Sequence, residues 1–294
     1  MRVLNFGSLN IDHVYRVERI ARPGETLPSS AYQVFAGGKG ANQSAALALA
    51  GAPVFHAGRV GPEGGWLKDK LSALGVDMRF TSCDATPTGH AIIQVDPRGH
   101  NAIVLFSGCN ARITPQQVEE TLAHFDEGDF LLLQNEINEF PLLIQRARAR
   151  HMRICLNPAP FTARVLEYPL ELVDILVVNE PEGKGLSGRE EPQAILDALR
   201  KKYPGAELVL TLGERGALYR SSREEFHVPA IPVKAVDTTA AGDTFIGYFL
   251  AGAAAGRPAR DALGRAARAA ALCVTRPGAM DSIPRADEIP AGFD

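Results

Sequence analysis

Apolar residues along this chain gather into short, nearly continuous runs separated by longer stretches of helical spacing. The runs are Val3 to Gly7, Pro53 to Val60, Phe130 to Gln134, Arg153 to Asn157, Asp174 to Asn179 and Leu208 to Gly213. Segments such as Leu131-Leu132-Leu133 and Ile175-Leu176-Val177-Val178 leave no polar face. Parallel strands covered on both sides require that pattern. Helices are predicted over Ala41 to Ala50, Gly65 to Leu74, Pro115 to Phe125, Pro141 to Arg150 and Gln193 to Lys202, the first two stopped by Gly51 and Gly75. Two alanine-rich helices, Gly242 to Gly256 and Asp261 to Val274, close the chain. The regular alternation predicts an α/β fold, a doubly wound, mostly parallel sheet with helices on both faces.

Two regions do not fit that alternation. Between Asp12 and Ala36 the pattern is polar and irregular, broken by Pro23-Gly24 and Pro28, with short strands expected around Val14, Val17 and Ile20 and around Tyr32, Val34 and Ala36. Gly89 to Val95 and Asn101 to Phe106 flank Asp96-Pro97-Arg98-Gly99, a hairpin signal. Residues 12–36 and 89–107 together are expected to form a small β lid over one edge of a single domain spanning 1–294.

Composition narrows the function classes. The 294 residues are 46% hydrophobic and 22% charged, enough to bury a large core. A net charge of −3 without a basic stripe argues against a nucleic-acid partner. No run approaches the ~18 apolar residues of a membrane span. Cys83, Cys109, Cys155 and Cys273 are widely separated and read as buried free thiols of a cytoplasmic protein. Gly37-Gly38-Lys39-Gly40 lacks the Walker spacing, and no dinucleotide fingerprint follows the first strand.

Ligands of open parallel sheets bind beyond the carboxyl ends of the strands. Polar residues collect there: Asn10 and Asp12, Asn135 and Glu136, Asn157, Asn179 and Glu182, and Thr211 with Gly213. The segment Val236-Asp237-Thr238-Thr239-Ala240-Ala241-Gly242-Asp243-Thr244-Phe245 leads into an apolar helix. A first helical turn has N–H groups without intrahelical partners, which suit a phosphate. Asp243 beside them is placed to take a proton from a substrate hydroxyl. An ordinary capping Asp fits the same pattern.

The chain resembles the ribokinase family of carbohydrate kinases. The resemblance rests on Gly7-Ser8-Leu9-Asn10-Ile11-Asp12, Pro23-Gly24-Glu25-Thr26, Gly37-Gly38-Lys39-Gly40-Ala41-Asn42-Gln43, Leu156-Asn157-Pro158-Ala159-Pro160, Asn179-Glu180-Pro181-Glu182, Thr211-Leu212-Gly213-Glu214-Arg215-Gly216, the Asp237 to Phe245 segment, and Val274-Thr275-Arg276-Pro277-Gly278-Ala279. It implies a three-layer α/β/α domain with a β lid and ATP-dependent phosphorylation of a sugar, foremost D-ribose at its 5-hydroxyl. Family relatives act on other sugars, nucleosides or keto-deoxy acids, and a non-catalytic binding protein on the same fold is the reading from another class.

By that resemblance Asp243 is the general base, and Ala240, Ala241 and Gly242 form the anion hole. Asn10, Asp12, Gly38, Asn42 and Glu136 hold the sugar together with Asp243. Lys39 either neutralises phosphate charge or simply opens its helix. Asn179 and Glu182 act on Mg²⁺ through water, while Thr211, Gly213, Gly216 and Gly242 contact the nucleotide. A K⁺ ion is expected near Asp237, Thr239, Cys273, Arg276, Gly278 and the Ser282 hydroxyl. Gly183-Lys184-Gly185 depart from the family's more helical run, leaving the helix start after Asn179 open. Apolar lid residues such as Val14, Val17, Ile103 and Leu105 imply a homodimer through the lid.

Overall fold

The computed structural model describes residues 1–289. The first part of the chain gives β1 (Val3–Phe6), β2 (Asn10–Val17), β3 (Ser29–Gly37), α1 (Lys39–Leu49), β4 (Val54–Val60), α2 (Gly65–Ala73) and β5 (Asp77–Cys83). Next come β6 (Gly89–Val95), β7 (Asn101–Phe106), α3 (Pro115–Leu122), β8 (Phe130–Gln134), α4 (Phe140–Ala149) and β9 (Arg153–Asn157). Then follow β10 (Ile175–Asn179), α5 (Glu180–Ser187), α6 (Pro192–Lys202), β11 (Glu207–Thr211), β12 (Ala217–Arg220), β13 (Glu225–Val228), α7 (Ala241–Ala254) and α8 (Ala259–Cys273).

Nine strands join in the order β13-β12-β11-β10-β9-β8-β1-β4-β5. Pairing from β5 to β11 is parallel, and β12 and β13 run antiparallel at one edge. Successive strand residues point to opposite faces. Phe130 and Leu132 therefore join Val3, Ile175, Val177 and Val209 in a core beneath α1, α2, α7 and α8. Leu131 and Leu133 join Leu4, Phe6, Leu176 and Val178 in a second core beneath α3, α4, α5 and α6. Apolar residues on both faces of each central strand thus build three layers.

The two irregular regions meet in a separate four-stranded sheet, ordered β3-β2-β6-β7. Its β2 and β6 pair in parallel, although each is antiparallel to its other neighbour. Three strands of the large sheet were not anticipated. β5 lies at one edge and mixes buried Met78 and Thr81 with exposed Arg79 and Cys83. β12 and β13 are four residues each at the other edge, covering the core with Tyr219 and Phe226. Edge strands need only one apolar face, so no continuous run marks them. The expectation that all four thiols are buried holds for Cys109, Cys155 and Cys273 but not for Cys83, which the edge position exposes. Among the described residues, no helix is long and apolar enough to cross a membrane.

Candidate active site

Parallel pairing sends the carboxyl ends of β1, β8, β9, β10 and β11 to one edge of the sheet, where α7 begins. Asp243 lies in the first turn of α7 and is 8% exposed. Asn42 Nδ2 donates to its Oδ2 at 3.0 Å, and Gln43 Nε2 donates to its Oδ1 at 2.9 Å. These contacts depend on close packing of α1 against α7. One turn further on, a Cβ at Gly247 would lie 3.0 Å from the backbone of Ala46 and Leu47 and overlap the Ala46 side chain. A larger residue at 247 would therefore push the helices apart. Burial raises the Asp243 carboxyl above its ordinary range; Lys39 and the two amides oppose that rise. The raised carboxyl, its rise partly opposed by Lys39 and the two amides, is able to accept a proton.

The turn before Asp243 is open. Ala240 caps α7 in the left-handed region, φ 61°, and no side chain caps the helix. A non-glycine residue there costs roughly 1–2 kcal/mol, so its neighbours hold the turn in place. Ala241 N–H reaches Thr238 O at 3.3 Å and Thr244 N–H bonds Ala240 O at 2.8 Å. The N–H groups of Gly242 and Asp243 between them have no partner within the helix. A cavity of about 220 Å³ opens in front, lined among others by Lys39, Asn179, Glu182, Thr211, Ala240, Gly242 and Asp243.

A second group of polar residues adjoins Lys39. Glu136 Oε2 accepts from Ser8 Oγ at 2.5 Å and from Lys39 N–H at 2.9 Å, tying the ends of β1 and β8 to the start of α1. Gly38 precedes α1 with φ 91°, a conformation that favours glycine. Asn110 donates to Asn10 Oδ1 at 2.7 Å, and its own amide is fixed by Leu9, whose N–H it accepts at 3.0 Å. Asn10 therefore presents its NH₂ as the free end. Asp12 is pushed up to about 7 by burial and by Glu136, against the pull of Lys39. Burial works against the Lys39 ammonium, but Asp243, Glu136, Glu182 and Asp12 outweigh it and raise its pKa. Lys39 is thus the positive centre shared by the two halves of the site. Asn42 Oδ1 is buried without a partner.

Asn179 and Glu182 form a complete capping box at α5. Asn179 Oδ1 accepts from Glu182 N–H at 2.9 Å, and Glu182 Oε2 accepts from Asn179 N–H at 3.0 Å. This cap offsets the poor helix propensity of Gly183 and Gly185, so the helix left open by the sequence forms. Glu182 is 5% exposed, and burial raises its pKa against the bond from Asn179 and the charge of Lys39. Thr211 reaches the cavity wall, whereas Gly213 and Gly216 lie outside its lining. Gly216 instead backs onto the Val228 carbonyl and the Ala230 amide, where a Cβ has no room.

The Asp237 carboxylate links two loops. It accepts from Thr239 N–H at 2.9 Å and Gly278 N–H at 3.0 Å, and these bonds lower its pKa although burial opposes them. Cys273 Sγ lies 3.1 Å from Ser282 Oγ and 3.9 Å from Thr239 O. Asp237, Thr239, Cys273, Gly278 and Ser282 are therefore neighbours. Arg276 turns its guanidinium to Glu288 at 2.6 Å, and Asp281 pairs with Lys70 at 2.6 Å. Among the described residues, no group of three or more His, Cys, Asp and Glu side chains is arranged to hold a metal.

The site contains residues for which no role was expected: Ser8 and Gln43, although both lie within the family's segments, and Asn110 and Gln134, which lie outside them. One signal for Gln134 was available, a polar residue ending an otherwise apolar strand. Asn110 follows β7 in a short 3₁₀ turn and carries no such mark.

Known proteins resemble this chain over nearly its whole length. The chain is 36% identical over 292 residues to a ribokinase of Haemophilus influenzae, covering 96% of this chain and 95% of that protein. A ribokinase of Cryptococcus neoformans var. grubii serotype A, solved in complex with ADP, superposes with a TM-score of 0.86 at 32% identity, covering 98% of each chain. An Arabidopsis thaliana ribokinase complexed with ribose and ATP gives 0.85 at 28% identity, covering 98% of this chain and 96% of that one. The model of the pfkB family of carbohydrate kinases matches residues 2–286, and the chain belongs to that family.

Proposed function

We propose that this chain transfers the γ-phosphoryl group of ATP to the 5-hydroxyl of D-ribose. The observation that carries this reading is the meeting of the Asp243 carboxylate and the unpaired N–H groups of α7 on one cavity, with Lys39 beside them. Ribose would sit toward Asn10, Asp12, Gly38, Asn42 and Glu136, whose amides and carboxylates match vicinal hydroxyls. Asp243 takes the proton of the attacking hydroxyl as the new O–P bond forms. The bond to the bridging oxygen breaks, and that oxygen leaves with ADP. Of the expected anion hole at Ala240, Ala241 and Gly242, the Ala241 N–H is turned to Thr238 O, so the N–H groups of Gly242 and the adjoining Asp243 would hold the transferred group, and Lys39 would offset its charge. The nucleotide would lie toward Thr211 and the neighbouring Gly213-to-Gly216 turn.

Mg²⁺ would neutralise the phosphates. Among the described residues the cavity is lined by two carboxylates, Asp243 and, beside Asn179, Glu182, and so few charged ligands fit an ion that keeps most of its water. K⁺ would lie among the oxygen-rich neighbours Asp237, Thr239, Cys273, Arg276, Gly278 and Ser282, where backbone carbonyls and the Ser282 hydroxyl are the matching donors. It would steady the anion hole. The four-stranded sheet would act as the lid, formed by residues 12–36 and 89–107. Of the expected apolar lid residues, Ile103 and Leu105 are exposed, whereas Val17 is buried and Val14 half-buried; Tyr32, Val34, Ile92, Val104 and Phe106 are exposed as well, and pairing two lids in a homodimer would cover them. Free thiols fit a cytoplasmic location.

ADP release with Mg-ATP, with and without K⁺, should be measured across ribose, deoxyribose, fructose, keto-deoxygluconate and several nucleosides. Ribose with K⁺ is expected to give the highest kcat/KM. Turnover of a nucleoside with none of ribose would replace the proposed substrate.

A further inference from the structure

Beneath α1 lies a line of fully buried side chains that reaches the Asp243 carboxylate through Gln43. Asn5, Gln43, Ser44 and Gln134 are all 0% exposed. The Gly40 carbonyl can only accept, so it fixes Asn5 with Nδ2 toward it at 2.7 Å. Asn5 Nδ2 also donates to Ser44 Oγ at 2.8 Å. Asn5 Oδ1 must then accept, and it does so from Gln134 Nε2 at 3.0 Å. The other hydrogen of Gln134 goes to Gln43 Oε1 at 2.7 Å, which turns Gln43 Nε2 onto Asp243 Oδ1 at 2.9 Å. A backbone carbonyl thus sets, through three amides in series, which atom Gln43 shows to the base, and Asn157 Oδ1, which accepts from the same Gln43 Nε2 at 3.3 Å, favours the same orientation.

We propose that Gln43 is a positioning residue for the Asp243 base and that Gln134 holds Gln43 in its donating orientation. This rests on the kinase reading above. Flipping the Gln43 amide would set its oxygen against the Asp243 carboxylate and its nitrogen against the Gln134 N–H. Both contacts are repulsive, so the amide is locked. Asn42, the other donor to Asp243, has nothing behind it, because its Oδ1 is without a partner; Gln134 Oε1 is unpartnered too, but the Gln134 NH₂ is held by two acceptors, Asn5 Oδ1 and Gln43 Oε1. Gln43 is therefore the fixed donor. It holds the carboxylate plane and keeps one Asp243 oxygen occupied, leaving the remaining lone pairs for the hydroxyl proton.

The test compares Gln43→Met, Gln134→Met and the double variant, since methionine keeps the length and removes the polar atoms. Folding is checked by circular dichroism and thermal midpoint. A hydrogen bond to a charged group is worth about tenfold to a hundredfold in rate, and each single variant is expected to lose about that much kcat with little change in KM. The acid limb of the kcat–pH profile should move to higher pH, because Asp243 loses a donor to its charged form. Lys39 on α1, Glu136 after β8, Glu182 on α5 and Cys273 on α8 also face Asp243, and these substitutions leave them in place. If Gln134 acts only through Gln43, the double variant is no slower than Gln43→Met. Losses that multiply, or a Gln134→Met profile whose acid limb stays at the wild-type pH, would overturn the proposal. Should Gln134→Met not fold, Gln134→Asn withdraws the amide by one methylene and carries the same expectation. A wild type that phosphorylates no sugar would instead defeat the kinase reading. Titration of the Asp243 carboxyl by ¹³C NMR, with and without Gln134, would then still decide the positioning claim.

Discussion

Gly242→Ala separates the chemistry of this site from its stability. Gly242 is exposed in the first turn of α7, and a Cβ built there meets no protein atom within 4 Å. Nothing in the fold demands glycine at this position. Alanine favours a helix over glycine by at most about 1 kcal/mol, so the thermal midpoint should stay level or rise by roughly 1–2 °C. Gly242 lines the cavity where the transferred phosphoryl is proposed to rest, so an added methyl is expected to crowd it. Its oxygens must come within about 2.7–3.1 Å of the N–H donors, and losing one such donor outright costs about 10²–10³ in kcat. A methyl displaces the group without deleting a donor, so a loss of about tenfold to a hundredfold is expected, at unchanged or higher stability. Gly264→Ala in α8 is the matched control, because its Cβ meets only Arg268 Nη1 at 3.8 Å. Coupled ADP-release kinetics at saturating ribose and a thermal melt on each variant suffice. Equal kcat for the two would refute the reading that α7 receives the phosphoryl group.

Asp243→Asn should lower kcat by about 10²–10⁴ without lowering the melting temperature, because it neutralises a carboxylate whose burial is unfavourable; steady-state kinetics beside a melt would check both halves. Asp12 titrates near 7 in the folded chain through burial and Glu136. A raised folded pKa means that its stabilising contribution is complete below the unfolded value near 4 and is lost as pH rises through about 7. Urea midpoints of Asp12→Asn should match wild type at acid pH and exceed it increasingly toward pH 8, and a constant gap would contradict the assignment. Of the four thiols only Cys83 is exposed, so Ellman's reagent should titrate one thiol rapidly in the native protein and the other three only on unfolding.

Much of the large sheet is legible because its central strands are covered on both faces. Leu131-Leu132-Leu133 and Leu208-Val209-Leu210 can satisfy two cores only in a parallel sheet, and they do. The same logic explains what stays hidden. β5, β12 and β13 sit at edges and need one apolar face each. Asn179 and Glu182 could be named from their place at a strand end and from the family resemblance, but not their mutual capping, which supports α5 as a helix despite two glycines. Asp243 and Asn42 stand 201 residues apart in sequence. A family pattern links them, whereas the Gly247–Ala46 contact that sets their distance is a matter of two helices meeting. The role of Gln134 is hidden for a further reason. Polar residues at strand ends commonly cap turns, and only the neighbouring Asn5 and Gln43 show that this one belongs to a line of amides.

The placement of those amides bears on why the site lies where it does. A buried amide costs free energy unless its hydrogen bonds are met, and an apolar side chain of similar size would pack under α1 at no such cost. Asn5 and Gln134 nevertheless interrupt strands that are otherwise apolar at the centre of the sheet. They do so beneath α1, at the level where Gln43 meets Asp243. Stability alone gives no reason for polarity there. A carboxylate that must stay ionisable in a buried position gives one, because burial drives its pKa up while fixed donors and Lys39 draw it back. Donors supplied by water would have to be expelled when the sugar enters. Donors supplied by a side chain held as proposed from behind remain in place through the reaction, which is what preorganisation of the proposed general base requires.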